Sequence, residues 1–267
     1  MAILTIAREF GSGGREIGEG VARLMSYDYV NKERLLEDIE KAGKRWEKWG
    51  KDFDEHCPTV WEKFDWSYRG FGALLQSAIL EHAAKDNVVI VGRGGNFLLK
   101  DIPHALRVLI KAPLEQRVER VMRRDSVDRE TAHWLIEKTD SERACLIHSI
   151  YGTKWDDPGE YDMLFDTGAE TVGEIISVIK DALLERDRQK TPEAKKLLDM
   201  RALAAKVKAA IATDPSFFIP VLDVLAEGEE IVVRGVVHKP KELKRLEEKA
   251  GEIAAPAPVR FELHYRK

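Results

Sequence analysis

The chain has 267 residues, 44% of them hydrophobic and 34% charged, with a formal net charge of −4. This describes a soluble globular protein with room for one large domain or two smaller ones, and the charge gives no whole-chain reason to expect nucleic-acid binding. No run of about 18 apolar residues exists, so no membrane span is expected. The N-terminus enters an apolar strand without the basic and apolar regions of a signal peptide, which predicts a cytoplasmic protein.

The first element is the apolar run Ile3-Leu4-Thr5-Ile6-Ala7, which stops at Phe10-Gly11-Ser12-Gly13-Gly14. An amphipathic segment follows, with Ile17, Val21, Leu24 and Met25 at helical spacing. Strand, glycine loop and helix form a phosphate cradle, because backbone N–H groups and the positive helix end converge there. The general pattern ends in G-K-[ST]. Here the lysine position falls on Gly14 or, shifted by one, on Arg15; the hydroxyl position falls on Glu16, and Arg8 replaces the first glycine. The alternative is an ordinary glycine turn.

Tyr27 to Val30 is a short strand, and Asn31 can cap the helix after it. Residues 43–71 carry Trp46, Trp49, Phe53, Trp61, Phe64, Trp66, Tyr68 and Phe71, which form either a base-binding wall or core. A helix with Phe71, Leu74, Leu75, Ala78 and Ile79 leads to a buried strand, Asn87 to Val91, and then to Gly92-Arg93-Gly94-Gly95. Ligands bind beyond the carboxyl ends of parallel strands, and an arginine there suits a bidentate phosphate contact. Ala105 to Ile110 is another strand, and Pro113 opens a helix. On that helix Arg117, Arg120 and Arg124 share one face, with Arg123 beside them. Residues 128–150 form a long helix whose segment adds Arg129, Lys138 and Arg143. These cations form either a lid over transferring phosphates or a solvated surface balanced by Glu115, Glu119 and Asp125. Met163 to Phe165 is a strand, and a helix with Val172, Ile175, Ile176, Ile179 and Leu183 closes the series. Asp28 and Asp166, at strand ends, either orient Mg²⁺-bound water or serve structure. The scattered histidines have no ligand spacing, and no metal-ligating set is predicted.

The fold class is therefore α/β over 1–185: a parallel sheet with helices on both faces. The charged stretch 186–197 is the expected linker. Residues 198–267 read helix-strand-strand-helix-strand, a small α+β domain. Cys57 and Cys145 lie in no C-x-x-C pair and are expected to be idle thiols of a reducing compartment.

The first motif, Ile6-Ala7-Arg8-Glu9-Phe10-Gly11-Ser12-Gly13-Gly14-Arg15-Glu16-Ile17-Gly18, with Val89-Ile90-Val91-Gly92-Arg93-Gly94, Arg117 to Arg124 and Glu137 to Arg143, resembles the cytidylate kinase-like family. That family is a divergent branch of the nucleoside monophosphate kinases. The resemblance implies a P-loop kinase fold that uses ATP and Mg²⁺ to move a γ-phosphoryl group to a nucleoside monophosphate. It implies donor binding by Gly11, Ser12, Gly13, Gly14, Arg15 and Glu16, and acceptor binding by Arg93, Arg8 and Asp28. It assigns charge neutralisation to Arg15, Arg117, Arg120, Arg124 and Arg143. Where cytidylate kinases carry an aspartate after the strand-end arginine, this chain has Gly94. Residues 198–267 look like a BON domain, on Val232-Val233-Arg234-Gly235-Val236-Val237, which implies a regulatory or oligomerising module. A catalytically weak nucleotide sensor signalling through this tail is the second reading, and an interaction protein with a vestigial loop is the third.

Overall fold

The computed structural model describes residues 1–43, 46, 49, 57–59, 61, 62, 65–217, 219 and 221–265. Five parallel strands form the main sheet: β1 (Ile3–Arg8), β2 (Asp28–Val30), β3 (Val88–Val91), β4 (Ala105–Lys111) and β5 (Met163–Asp166), in the order β2-β3-β1-β4-β5. Successive side chains of β1 point to opposite faces, as a pleated strand requires. Leu4 and Ile6 enter one cluster with Ile17 and Val21 of α1 (Gly14–Met25) and Ile175 and Ile179 of α7 (Val172–Asp187). Ile3 enters the other, with Leu35 of α2 (Lys32–Lys41) and Phe71, Leu75 and Ile79 of α3 (Trp66–Ala84). The sheet is thus covered on both faces, as its continuous apolar strands predict.

Caps set several helix starts. Asn31 Oδ1 accepts the Arg34 N–H at 3.1 Å, as expected. Asp65 caps α3, so that helix begins earlier than its apolar stripe suggests. Thr171 and Glu174 form a reciprocal capping box at α7. Between β3 and β5 lie the short α4 (Gly95–Leu98), α5 (Leu114–Asp125) and the long α6 (Arg129–Tyr151).

The aromatic block is mainly core. Trp46, Trp49, Tyr68 and Phe71 are buried in one cluster, with Trp66 against it. Trp61 is exposed, and Phe53 and Phe64 lie outside the described residues. None of the described aromatics of the 43–71 block lines the pocket described below, and the base-wall reading finds no support there.

The two cysteines are also corrected. Cys57 and Cys145 form a disulfide, with Cα atoms 5.6 Å apart and a sequence separation of 88. The pairing comes from a tertiary approach of the chain before α3 to α6, which spacing along the chain does not reveal. The argument for a reducing compartment from idle thiols falls with it. Cross-links over long loops stabilise chiefly by restricting the unfolded chain, so reduction should cost about 2–4 kcal/mol. Urea unfolding with and without reductant measures this.

Helix α8 (Pro192–Ala212), capped by Thr191, occupies much of the expected linker. It serves two cores. Leu198 and Ala202 pack with Phe71, whereas Val207 and Ile211 pack with the C-terminal unit. That unit has β6 (Leu222–Glu227) antiparallel to β7 (Glu230–Val237), which is parallel to β8 (Val259–Tyr265). Helix α9 (Pro240–Ala254) buries Leu246, Ala250 and Ala254 in the same cluster as Val207 and Ile211. The element order is the helix-strand-strand-helix-strand expected.

Asp214, just after α8, ties to Lys249 of α9 and accepts the Ser216 N–H at 2.9 Å. Partial burial alone would raise its carboxyl, but Lys249 and Ser216 outweigh that and hold it at about 2. A carboxyl depressed by folding stabilises above its ordinary 3.8 and loses that contribution as pH falls toward about 2. Stability should therefore drop across that window in the wild type, and Asp214→Asn should flatten the drop. Acid titration of unfolding midpoints checks it.

Candidate functional site

The glycine loop closes β1 at the carboxyl edge of the sheet. Gly11 and Gly13 take φ of +80° and +85°, which a side chain would strain. Gly13 caps α1, whose first turn carries Gly14, Arg15 and Glu16. The unsatisfied N–H groups of that turn face the loop, the arrangement that holds a phosphate chain. The Ser12 side chain is fully buried, so it contributes backbone and not a surface hydroxyl.

At the end of β3, Gly92, Arg93 and Gly94 all take positive φ, of +81°, +59° and +75°. A non-glycine residue in this region persists only where its surroundings hold it. The Gly92 N–H donates to the Ile6 carbonyl at 2.8 Å, and Tyr151 Oη donates to the Arg93 carbonyl at 2.9 Å. Burial pushes the Tyr151 phenol well up, so it stays a donor. Arg93 is 9% exposed. It lines a pocket with Arg8, Phe97, Arg143, Trp155 and Tyr161. The Tyr151 ring lies over Gly94 and tilts against Phe97, with centroids 5.2 Å apart.

Helix α6 crosses the loop tip. Asp140 accepts the Phe10 N–H at 2.8 Å and the Arg117 Nη1 proton at 2.5 Å, with Arg143 Nη1 at 3.5 Å. Arg143 also donates to the Arg8 carbonyl at 3.0 Å. Arg117 Nε stands 3.7 Å from Glu9. Arg124 and Arg143 flank the Phe10 ring, 4.7 and 5.6 Å from its centroid.

The expected residues thus separate. Arg8, Arg93 and Arg143 share the pocket, and Arg117 stands beside the loop. Arg120 braces the loop: it donates to Thr167 Oγ1 at 2.7 Å, and Thr167 donates to the Ser12 carbonyl at 2.8 Å. Arg124 is half-exposed and bidentate with Asp125, at 2.7 Å in both contacts. Arg15 is 74% exposed, with Nε on Glu19 at 2.9 Å, so its guanidinium leaves the loop for the next helical turn. Arg129 pairs with Glu115, and Lys138 lies over the exposed Trp134, so these cations are surface.

Asp28 is corrected by the sheet register. It pairs with Val88, which pairs with Ile3 at the start of β1. That is the opposite edge, about 16 Å of strand rise below Arg8. Asp166 lies at the right edge, but its carboxylate accepts the Gly168 N–H at 2.8 Å and so holds a turn. Among the described residues no three His, Cys, Asp or Glu side chains converge as a metal cage. Mg²⁺ suits such a site when carried by nucleotide phosphates and water.

A parallel sheet with a glycine loop after β1 and a buried arginine after β3 is the fold of a P-loop kinase. The chain belongs to the cytidylate kinase-like family, whose model matches residues 3–169. It is similar to the cytidylate kinase of Methanopyrus kandleri, with 26% identity over 197 residues, covering 69% of this chain and 96% of that protein. It is similar to the cytidylate kinase of Methanocaldococcus jannaschii, 26% identical over 184 residues, covering 68% and 97%. An uncharacterized protein from Eubacterium ventriosum has the same fold in its crystal structure, with a TM-score of 0.57 and 25% identity. That match covers 69% of this chain and 98% of that one.

Proposed function

We propose that this protein is an ATP-dependent phosphotransferase acting on a nucleoside monophosphate or a related small acceptor. The observation that carries this reading is the buried Arg93, held in a strained backbone and lining a pocket with Arg8, at the end of β1, and Arg143. A surface turn needs no such arginine, whereas an acceptor phosphate does. ATP with Mg²⁺ supplies the γ-phosphoryl group. The N–H groups from Gly11 to Glu16 hold the donor phosphates, and Arg93 holds the acceptor phosphate. Arg117 and Arg143 add positive charge, oriented by Asp140. Arg120 keeps the loop in shape through Thr167. Charge and position do most of the work in such reactions.

The acceptor base meets Phe97 and Tyr151 where a carboxylate would read cytosine, so no strong preference for cytosine is expected. The α+β tail remains a BON-like regulatory or oligomerising module in this proposal. No helix of the described residues is long and apolar enough to cross a membrane.

An ADP-release assay with ATP, Mg²⁺ and a panel of nucleoside monophosphates tests the proposal. Turnover with at least one acceptor is expected. ATP binding without turnover across the panel would leave the sensor reading instead.

A further inference from the structure

The phosphate-loop pattern G-x-x-x-x-G-K-[ST] has glycine first and lysine seventh. Gly13 caps α1, which fixes it as the last loop glycine. Counting from it, Arg8 holds the first position and Gly14 the seventh. The glycine and the cation have changed places.

The same exchange is present in space. A Cβ on Gly14 would lie 2.6 Å from Arg8 Cβ and 3.0 Å from Arg8 Cγ. The stem of Arg8 therefore fills the volume that a side chain at position 14 would need. Gly14 has no left-handed backbone to explain its identity, so space is the reason. Farther along, Arg8 Cζ lies 3.0 Å from where a Cβ on Gly92 would sit. The stem covers the donor loop and the head reaches the strand end beside Arg93. Arg143 fixes the origin of this side chain through the Arg8 carbonyl.

We infer that Arg8 is the loop cation of this protein, delivered from the end of β1 in place of a lysine from α1. This inference rests on the phosphotransfer reading and assigns the place between donor and acceptor phosphates. A guanidinium there can meet two phosphate oxygens at once, which one ammonium cannot match in geometry. Arg15, turned to Glu19, is not the substitute.

Five proteins test it: wild type, Arg8→Gly, Arg8→Lys, Gly14→Lys, and the double Arg8→Gly/Gly14→Lys. Calorimetry reads the affinity for ATP and for inorganic tripolyphosphate, and circular dichroism checks folding. Arg8→Gly should weaken both ligands alike, by about 10- to 100-fold, since they share the phosphate chain. Arg8→Lys should keep most of the affinity. Gly14→Lys should lose it through collision with the Arg8 stem, and the double variant should regain about tenfold over Arg8→Gly. Unchanged tripolyphosphate affinity in folded Arg8→Gly would overturn the inference, as would a folded double variant no better than Arg8→Gly. If wild type binds ATP but turns nothing over, the phosphotransfer reading fails, while the affinities still decide the exchange.

Discussion

Arg93→Ala should lower kcat/KM for the acceptor by about 10²- to 10³-fold and leave ATP affinity within about threefold. The side chain is 9% exposed at the end of β3, and its backbone sits at φ +59° between two glycines of positive φ. Alanine meets the same backbone strain as arginine, so the variant should keep the turn. The Gly92 N–H bond to Ile6 and the Tyr151 bond to the Arg93 carbonyl are backbone contacts that survive the change. What disappears is the fork facing the acceptor. Steady-state kinetics with calorimetry of ATP separates the two effects. Equal loss of ATP affinity would move Arg93 to the donor side and undo the proposed division of labour.

Asp140→Ala should have the largest effect on stability among the site variants, about 3 kcal/mol, with turnover falling about tenfold or more. Asp140 answers three groups at once: the Phe10 N–H and the guanidinium groups of Arg117 and Arg143. Both arginines are mostly covered, at 12% and 19% exposed. Without the carboxylate the two guanidinium groups repel each other, Arg117 keeps only Glu9, at 3.7 Å, as a carboxylate partner, and α6 loses its hold on the loop tip. The cost of an uncompensated buried charge exceeds what the pair contributes, so removal of this single partner is felt strongly. Urea unfolding and kinetics of the same preparation check it. A stable variant of normal turnover would show that α6 does not need Asp140 to hold the loop.

Local signals made much of the fold legible. The apolar runs at Val88–Val91 and Ala105–Lys111 are strands, and Asn31 caps the helix it precedes. The loop and Arg93 were legible because glycines mark backbone that other residues avoid. The rest depends on contacts distant in sequence. Asp140 lies 130 residues from Phe10, and Thr167 lies 155 residues from Ser12. No local pattern distinguishes them from ordinary surface residues. Arg15 misled for a related reason: position suggested a phosphate ligand, but Glu19 one turn on captures its guanidinium. Asp28 misled because a strand end was visible while its edge was not. β2 begins where β1 and β3 begin, and the site lies at their other ends. The tryptophans left two readings open because aromatic residues are alike in sequence whether they face a ligand or Phe71, and the core reading is the one the packing supports.

The most direct measurement follows the label from γ-labelled ATP into a nucleoside monophosphate, with wild type and Arg93→Ala in parallel. Wild type should yield labelled nucleoside diphosphate at a rate at least about a hundredfold above the variant. Label released only as inorganic phosphate, at equal rates in both proteins, would contradict the phosphotransfer reading.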